Sequence, residues 1–210
     1  SDTEHWDVMG KTYEQYTATY LKRQKGQFFT NRLVIDMMIQ MLSPTADDIF
    51  LDPAGGAGGF LTSVWRYVRR VVTESRGEDH ASRVMRNFAN NLFSIDISEK
   101  LNRVAKCAMV LNGDGHTGIT RGNSLLAYES INHIIATKCG REKPTIIATN
   151  PPFAGVGDGR IEAEYILSQY DSGHRWKVQN GEYIKTDKIL SIGCPPEMLF
   201  LERCIDWLVP

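Results

Sequence analysis

The sequence predicts an α/β fold: a parallel sheet with helices on both faces. Three observations carry that reading. Short apolar runs alternate with amphipathic helical stretches, the pattern of a covered parallel sheet. Three of the runs end in a polar residue with chemical potential: Asp52, Asp96 and Asn150. The first of these leads into a cluster of glycines. In open parallel sheets ligands bind at the carboxyl ends of the strands, where these residues would lie.

Taken in order, Tyr13 to Lys25 reads as a helix with a basic end, broken by Gly26. Thr30 or Asn31 can cap a second helix, in which Leu33, Val34, Met37, Met38 and Met41 recur at helical spacing until Ser43-Pro44. Ile49 to Leu51 forms a strand, and a helix follows from Phe60 to Arg70. Glu74 to Asp79 is polar and reads as a loop, and Arg83 to Asn90 as a helix. Leu92 to Ile95 is the second strand. Ser98 caps a helix bearing Leu101, Val104, Ala108 and Leu111, closed by Asn112-Gly113. Ile119 to Arg121 is a weak strand, Leu125 to Thr137 is helical in part, and Thr145 to Thr149 is a strand. Residues 155–193 are polar, Gly-rich and weakly periodic, and read as an irregular insertion expected to be mobile or to order on binding a partner. The last helix starts near Pro195, with Leu201, Cys204, Ile205 and Leu208 on one side. Residues 1–43 are read as an N-terminal helical segment and 44–210 as a partial catalytic domain.

Composition narrows the function classes. Of 210 residues, 42% are hydrophobic, enough to bury a core and too many for a disordered chain. Lys and Arg number 24 against 25 Asp and Glu, so bulk charge does not mark a free-standing basic nucleic-acid binder. Cys107, Cys139, Cys194 and Cys204 form no CxxC pair, so zinc-site spacing is missing and no metal is expected. No apolar run reaches the roughly 18 residues of a membrane helix. The polar start of the sequence does not read as a signal peptide, and the cytoplasm is the expected compartment.

Three stretches carry chemistry. Asp52-Pro53-Ala54-Gly55-Gly56-Ala57-Gly58-Gly59-Phe60 lets backbone approach a ligand closely, because glycine has no Cβ. The dinucleotide pattern GxGxxG fails here, since its sixth position from Gly56 is Leu61, and GxxxxGK[ST] is absent. A tight strand-to-helix turn is the plain alternative. Asp96 can accept both hydroxyls of a ribose, or simply cap the next helix; it lies 44 residues beyond Asp52, against about 20 in a dinucleotide fold. Asn150-Pro151-Pro152-Phe153 has two fixed, donor-free backbone positions, a side-chain carbonyl and an aromatic ring. Such a loop can accept two hydrogen bonds from an amino group and stack on its base. The alternative is a rigid loop with a buried Phe.

The set resembles the S-adenosylmethionine-dependent amino-methyltransferases. DPAGGAGGF is similar to their first motif and NPPF to their catalytic motif. Gly26 to Thr30 (GQFFT) resembles the segment that precedes the first motif in N6-adenine DNA methyltransferases. Gly122 to Leu125 resembles a further cofactor motif, and Glu197 to Leu208 the helix before the fifth strand. Order and spacing resemble the modification subunit of type I restriction-modification systems.

The resemblance implies a Rossmann-like fold and methyl transfer from S-adenosylmethionine to the N6 amino group of adenine in double-stranded DNA. It implies a specificity subunit and, in the full system, a restriction subunit as partners. Gln27, Phe28 and Thr30 would bind the cofactor, the last two at its methionine part. Asp52, Ala54, Gly55 and Gly58 would line its amino-acid moiety, Asp96 its ribose and Ile97 its adenine. Asn123 stands where the family often has Asp, with Ser124 beside it. Asn150, Pro151, Pro152 and Phe153 would be catalytic. RNA or protein glutamine as substrate, or a cofactor-binding assembly module inactive without its partner, are the competing readings. On this map the sequence stops where a fifth strand should begin, so a fragment with β-strand four at an edge is expected.

Overall fold

A computed structural model of the chain describes residues 30–113, 118–154 and 159–210. The expected helix over Tyr13–Lys25 and the residues Gln27 and Phe28 lie outside the described residues.

Four strands form one sheet: β1 (Phe50–Asp52), β2 (Leu92–Asp96), β3 (Ile119–Arg121) and β4 (Ile146–Ile147). The order is β3-β2-β1-β4 and every pairing is parallel. Strand side chains alternate between faces, and the core divides accordingly. Phe50 and Leu92 point to one side, where they meet α1 (Arg32–Leu42), α2 (Gly59–Arg76), α3 (Glu78–Phe88) and α4 (Glu99–Leu111) through Ile39, Val64, Phe88 and Met109. Leu51, Phe93 and Ile95 point to the other and pack on Ile131, Ile135 and Trp207. Helices therefore cover both faces, as expected. None of the described helices is long and apolar enough to cross a membrane.

The helix α1 begins where the Asn31 side chain accepts the Leu33 N–H (2.9 Å) and ends at Ser43 in a left-handed conformation (φ 49°), with Pro44 barring continuation. Its buried residues are Ile35 and Ile39, while Leu33, Val34, Met37 and Met41 are exposed. The helix is apolar almost all round, so spacing alone does not single out the face that the sheet side buries.

Two further expectations are corrected nearby. The supposed loop at Glu74–Asp79 is helical except at Gly77 (φ 79°), where α2 gives way to α3. Glu78 and Asp79 occupy the first turn of α3, where acids favour the helix N-terminus, and Arg69 pairs with Glu78 across the break. The strand expected over Thr145–Thr149 keeps only Ile146–Ile147 in the ladder.

Beyond Asn150 the chain is more ordered than its composition suggests. After α5 (Tyr128–Ile131) and β4 come α6 (Glu164–Leu167), an antiparallel hairpin of β5 (His174–Gln179) and β6 (Glu182–Ile189), and α7 (Pro196–Trp207). The hairpin turns on Asn180-Gly181, both at positive φ (54° and 82°), the pair that a two-residue primed turn requires. The insertion is thus not irregular throughout. A third core of Leu125, Leu167, Tyr170, Leu199 and Phe200 seats α6 and α7. The inward face of α7 is Leu199, Phe200, Arg203 and Trp207; Leu201 and Ile205 are exposed, contrary to the expected side.

Candidate active site at the carboxyl rim of the sheet

The ends of β1 and β2 are sewn together by backbone. Gly55 N–H donates to the Ile95 carbonyl (3.0 Å) and Gly58 N–H to the Gly55 carbonyl (2.8 Å). Gly55 packs so closely that a Cβ there would lie 1.8 Å from the Ser94 Oγ. Gly58 (φ 84°) approaches Ala105 of α4, whose Cβ would stand 3.0 Å from an added one. Gly56 (φ 52°) instead faces open space, with nothing within 4 Å of a notional Cβ. The glycine run is therefore a tight turn that also leaves its outer surface bare. Ile35 reaches the position a Gly59 Cβ would take, so α1 seats against the start of α2, with half-buried Thr30 just ahead of α1.

Asp52 is fully buried. One carboxylate oxygen accepts the Ala54 N–H (3.1 Å). Burial pushes its pKa up to about 7; the Thr149 hydroxyl and the Ala54 N–H oppose that rise, and the charge of Asp96 adds to it. The Thr149 hydroxyl is buried near Asp52 yet meets no partner at hydrogen-bond geometry. Burial also drives the Cys204 thiol up to about 12, with the charge of Asp52 a further cause, which sets α7 behind the same rim.

Asp96 holds the rim from the other side. Its carboxylate accepts Gly56 N–H (3.0 Å) and Ser98 N–H (2.7 Å). The cap of α4 is Ser98, not Asp96: its Oγ accepts the Leu101 N–H. Two carboxylate oxygens offer about four acceptor sites, so capacity remains for a diol. The neighbouring Ile97 side chain is 68% exposed and can cover a planar ring.

Asn123 and Ser124 are placed differently from each other. The Asn123 side-chain oxygen accepts the Leu125 N–H (3.0 Å), which leaves it one lone pair for a ligand. Ser124 is buried and donates to the Pro53 carbonyl (2.6 Å). Its hydroxyl braces the backbone of the glycine loop.

Asn150 to Phe153 follow β4 at the same rim. Asn150 and Pro151 are half-buried, and the Asn150 amide has no hydrogen-bond partner among the described residues. Phe153 is 59% exposed, so it is no buried anchor of a rigid loop. The loop is fixed just downstream, where Ala154 N–H donates to Glu197 of α7 (3.1 Å). Three residues not expected at the site thus help build it: Ser94 under Gly55, Ser98 at Asp96, and Glu197, which the sequence marked only as the start of the last helical motif. Ser98 was legible as a helix cap.

This geometry has counterparts. Residues 4–183 match the family model described as N-6 DNA Methylase. The chain is 30% identical over 151 residues to the type II restriction enzyme and methyltransferase RM.BcgI of Heyndrickxia coagulans, covering 71% of this chain and 22% of that protein. It is 28% identical over 170 residues to the type I restriction enzyme EcoKI methylase subunit of Escherichia coli K12, covering 76% of this chain and 30% of that one. The chain thus spans less than a third of the length of either relative. Among solved structures, a modification subunit of a putative type I restriction enzyme from Vibrio vulnificus YJ016 superposes with a TM-score of 0.67 at 18% identity, over 99% of this chain and 36% of that one. The likeness in structure is one of fold, and the matched model covers most of the sequence: the chain belongs to the N-6 DNA methylase family.

Proposed function

We propose that this chain carries the cofactor-binding and catalytic motifs of an adenine-N6 DNA methyltransferase, within the modification subunit of a type I restriction-modification system. The observation that carries the reading is the convergence of the glycine loop, Asp52, Asp96 and Asn150–Phe153 on one rim of a parallel sheet, beside an uncommitted Asn150 amide. Double-stranded DNA is the proposed substrate. A specificity subunit and a restriction subunit are the proposed partners.

The residues present fit S-adenosylmethionine. Gly56 leaves space on the outer side of the loop, Asp96 retains acceptor capacity, and Ile97 offers an exposed apolar surface. When bound, it supplies a methyl group on a sulfonium centre. Asp52, Ala54, Gly55 and Gly58 would border its amino-acid end, Asp96 and Ile97 its nucleoside, and Asn123 would offer its remaining lone pair.

Asn150 Oδ1 and the Pro151 carbonyl would accept the two hydrogens of the N6 amino group. The amino lone pair is delocalised into the purine ring, and two such acceptors favour the pyramidal nitrogen that frees it. Pro152 keeps the carbonyl directions fixed. The base must leave the duplex at a cost of a few kcal/mol. Stacking on exposed Phe153 offsets roughly 1–3 kcal/mol of it. Positioning and fixed dipoles do the rest.

The test is transfer of labelled methyl to duplex DNA by the intact protein with its subunits, with RNA and protein as competitors. Asn150→Ala should lower transfer about a thousandfold, the order of losing a preorganised acceptor, with cofactor affinity within twofold. Unchanged transfer would overturn the assignment.

A further inference from the structure

We infer that the β5–β6 hairpin is a second DNA contact, gripping the duplex beside the target base. This rests on the reading of DNA as substrate. It adds a surface that none of the motifs predicts.

The hairpin register puts Val178 opposite Tyr183 and Trp176 opposite Lys185, so these four share one face. Trp176, Val178 and Tyr183 are 47%, 64% and 77% exposed. Three large apolar side chains in one exposed stripe are costly in water and mark a contact surface. The Trp176 indole N–H is already spent on the Asp171 carbonyl (3.0 Å), which fixes the ring while leaving much of it open. The opposite face begins with Lys177, paired with Ile184.

Charge decides what this surface fits. Arg175, Lys177, Lys185 and Lys188 face only Glu182 and Asp187 within the two strands, a local balance of +2 in a chain of net charge −1. Lys185 pairs with Asp171, and Arg175 bonds Ser191. Lys177 and Lys188 have no ion-pair or hydrogen-bond side-chain partner among the described residues. The rings thus lie on one face of the ribbon and the uncommitted Lys177 on the other, an arrangement that suits a two-stranded ribbon seated in a groove of a duplex: ammonium groups take phosphates, rings take sugar and base surfaces.

The root of the hairpin ties it to the reacting loop. Glu202 of α7 accepts Asp171 N–H (2.5 Å), Ser172 N–H (2.9 Å) and the Ser172 hydroxyl (2.6 Å). Glu197, on the same helix, holds Ala154 next to Phe153. One helix thus carries both the hairpin and the end of the Asn150 loop, five residues or about 7 Å apart along its axis.

The experiment measures binding of a fluorescent duplex to the intact, assembled protein over a range of salt. Lys177→Gln with Lys188→Gln should reduce the slope of log affinity against log salt by about 1.8, the counterion release of two phosphate contacts. Trp176→Ala with Tyr183→Ala should weaken binding about tenfold at every salt concentration with the slope kept. Both pairs are on the surface, so melting temperature and S-adenosylmethionine affinity should stay unchanged. Wild-type affinity and slope in both double variants would overturn the proposal. So would loss of subunit association with DNA binding by the assembled fraction intact, which would assign the face to a protein. A wild type that binds duplex through the hairpin but transfers no methyl would sink the reading of function and leave the hairpin standing. A wild type that binds no duplex would overturn both.

Discussion

The two halves of the site are built on different principles. The glycine loop and its two aspartates are fixed by the sheet: their bonds run backbone to backbone or carboxylate to backbone, over closely packed Gly55 and Gly58. The described residues from Asn150 to Gly193 have no partner in the four-stranded sheet. It hangs from the side chains of α7, namely Glu197, Glu202 and Arg203. The first half is preorganised at the cost of almost any substitution. The second can be re-aimed by changing one helix, which suits the part proposed to meet DNA.

The sharpest way to break the second half is Arg203→Ala. The buried guanidinium donates to the Tyr170 hydroxyl (2.7 Å) and the Leu126 carbonyl (2.9 Å), pairs with Asp206 and lies over the Tyr170 and Trp207 rings. Removing it strands those groups, and urea unfolding should show a loss of about 3–5 kcal/mol.

The matching test of the first half is Asp52→Asn. The folded-state pKa of Asp52, about 7, stands above the ordinary 3.8. The neutral carboxyl therefore contributes stability that is complete below about pH 4 and is lost as pH rises through 7. Relative to the Asn variant, the wild type should lose up to about 1.4 kcal/mol per pH unit between pH 5 and 7, then level off. A flat difference across that range would mean that Asp52 stays charged.

Gly55→Ala should cost about 1–3 kcal/mol, because the new methyl group overlaps the Ser94 hydroxyl and something must shift. Calorimetry should show weaker S-adenosylmethionine binding alongside. Glu197→Ala should lower turnover about tenfold, roughly 1.4 kcal/mol, while cofactor affinity holds. A fall in both together would merge the two halves into one. The smallest effect belongs to Leu201→Ser, on the exposed side of α7, which should stay within about 0.5 kcal/mol by thermal melting.

The same division explains what the sequence made legible. The rim could be read because strand ends, glycines and a proline pair are local signals, and the sheet brings local signals together by rule. The faces of α1 and α7 could not. In α1 apolar residues surround the axis, and in α7 the inward position of Arg203 is earned by partners 33 and 77 residues away. The hairpin was missed despite Asn180-Gly181 and the alternation of Trp176 and Val178 with Arg175, Lys177 and Gln179, since that alternation is short and the second strand, Glu182–Ile189, does not continue it. The bond from Ser124 to the Pro53 carbonyl was not legible either, because motif position carries no information about which way a hydroxyl faces.

The central place of β1 has a consequence for how the protein is made. Phe50 pairs with Leu92 on one side and Ile146 on the other, 42 and 96 residues later. At a synthesis rate of roughly 5–20 residues per second, β1 leaves the ribosome seconds before either neighbour. Its apolar residues must wait in the open, as in any slow parallel topology. Slower translation or scarce chaperones should therefore lower the yield of soluble protein before any effect on the finished fold is felt.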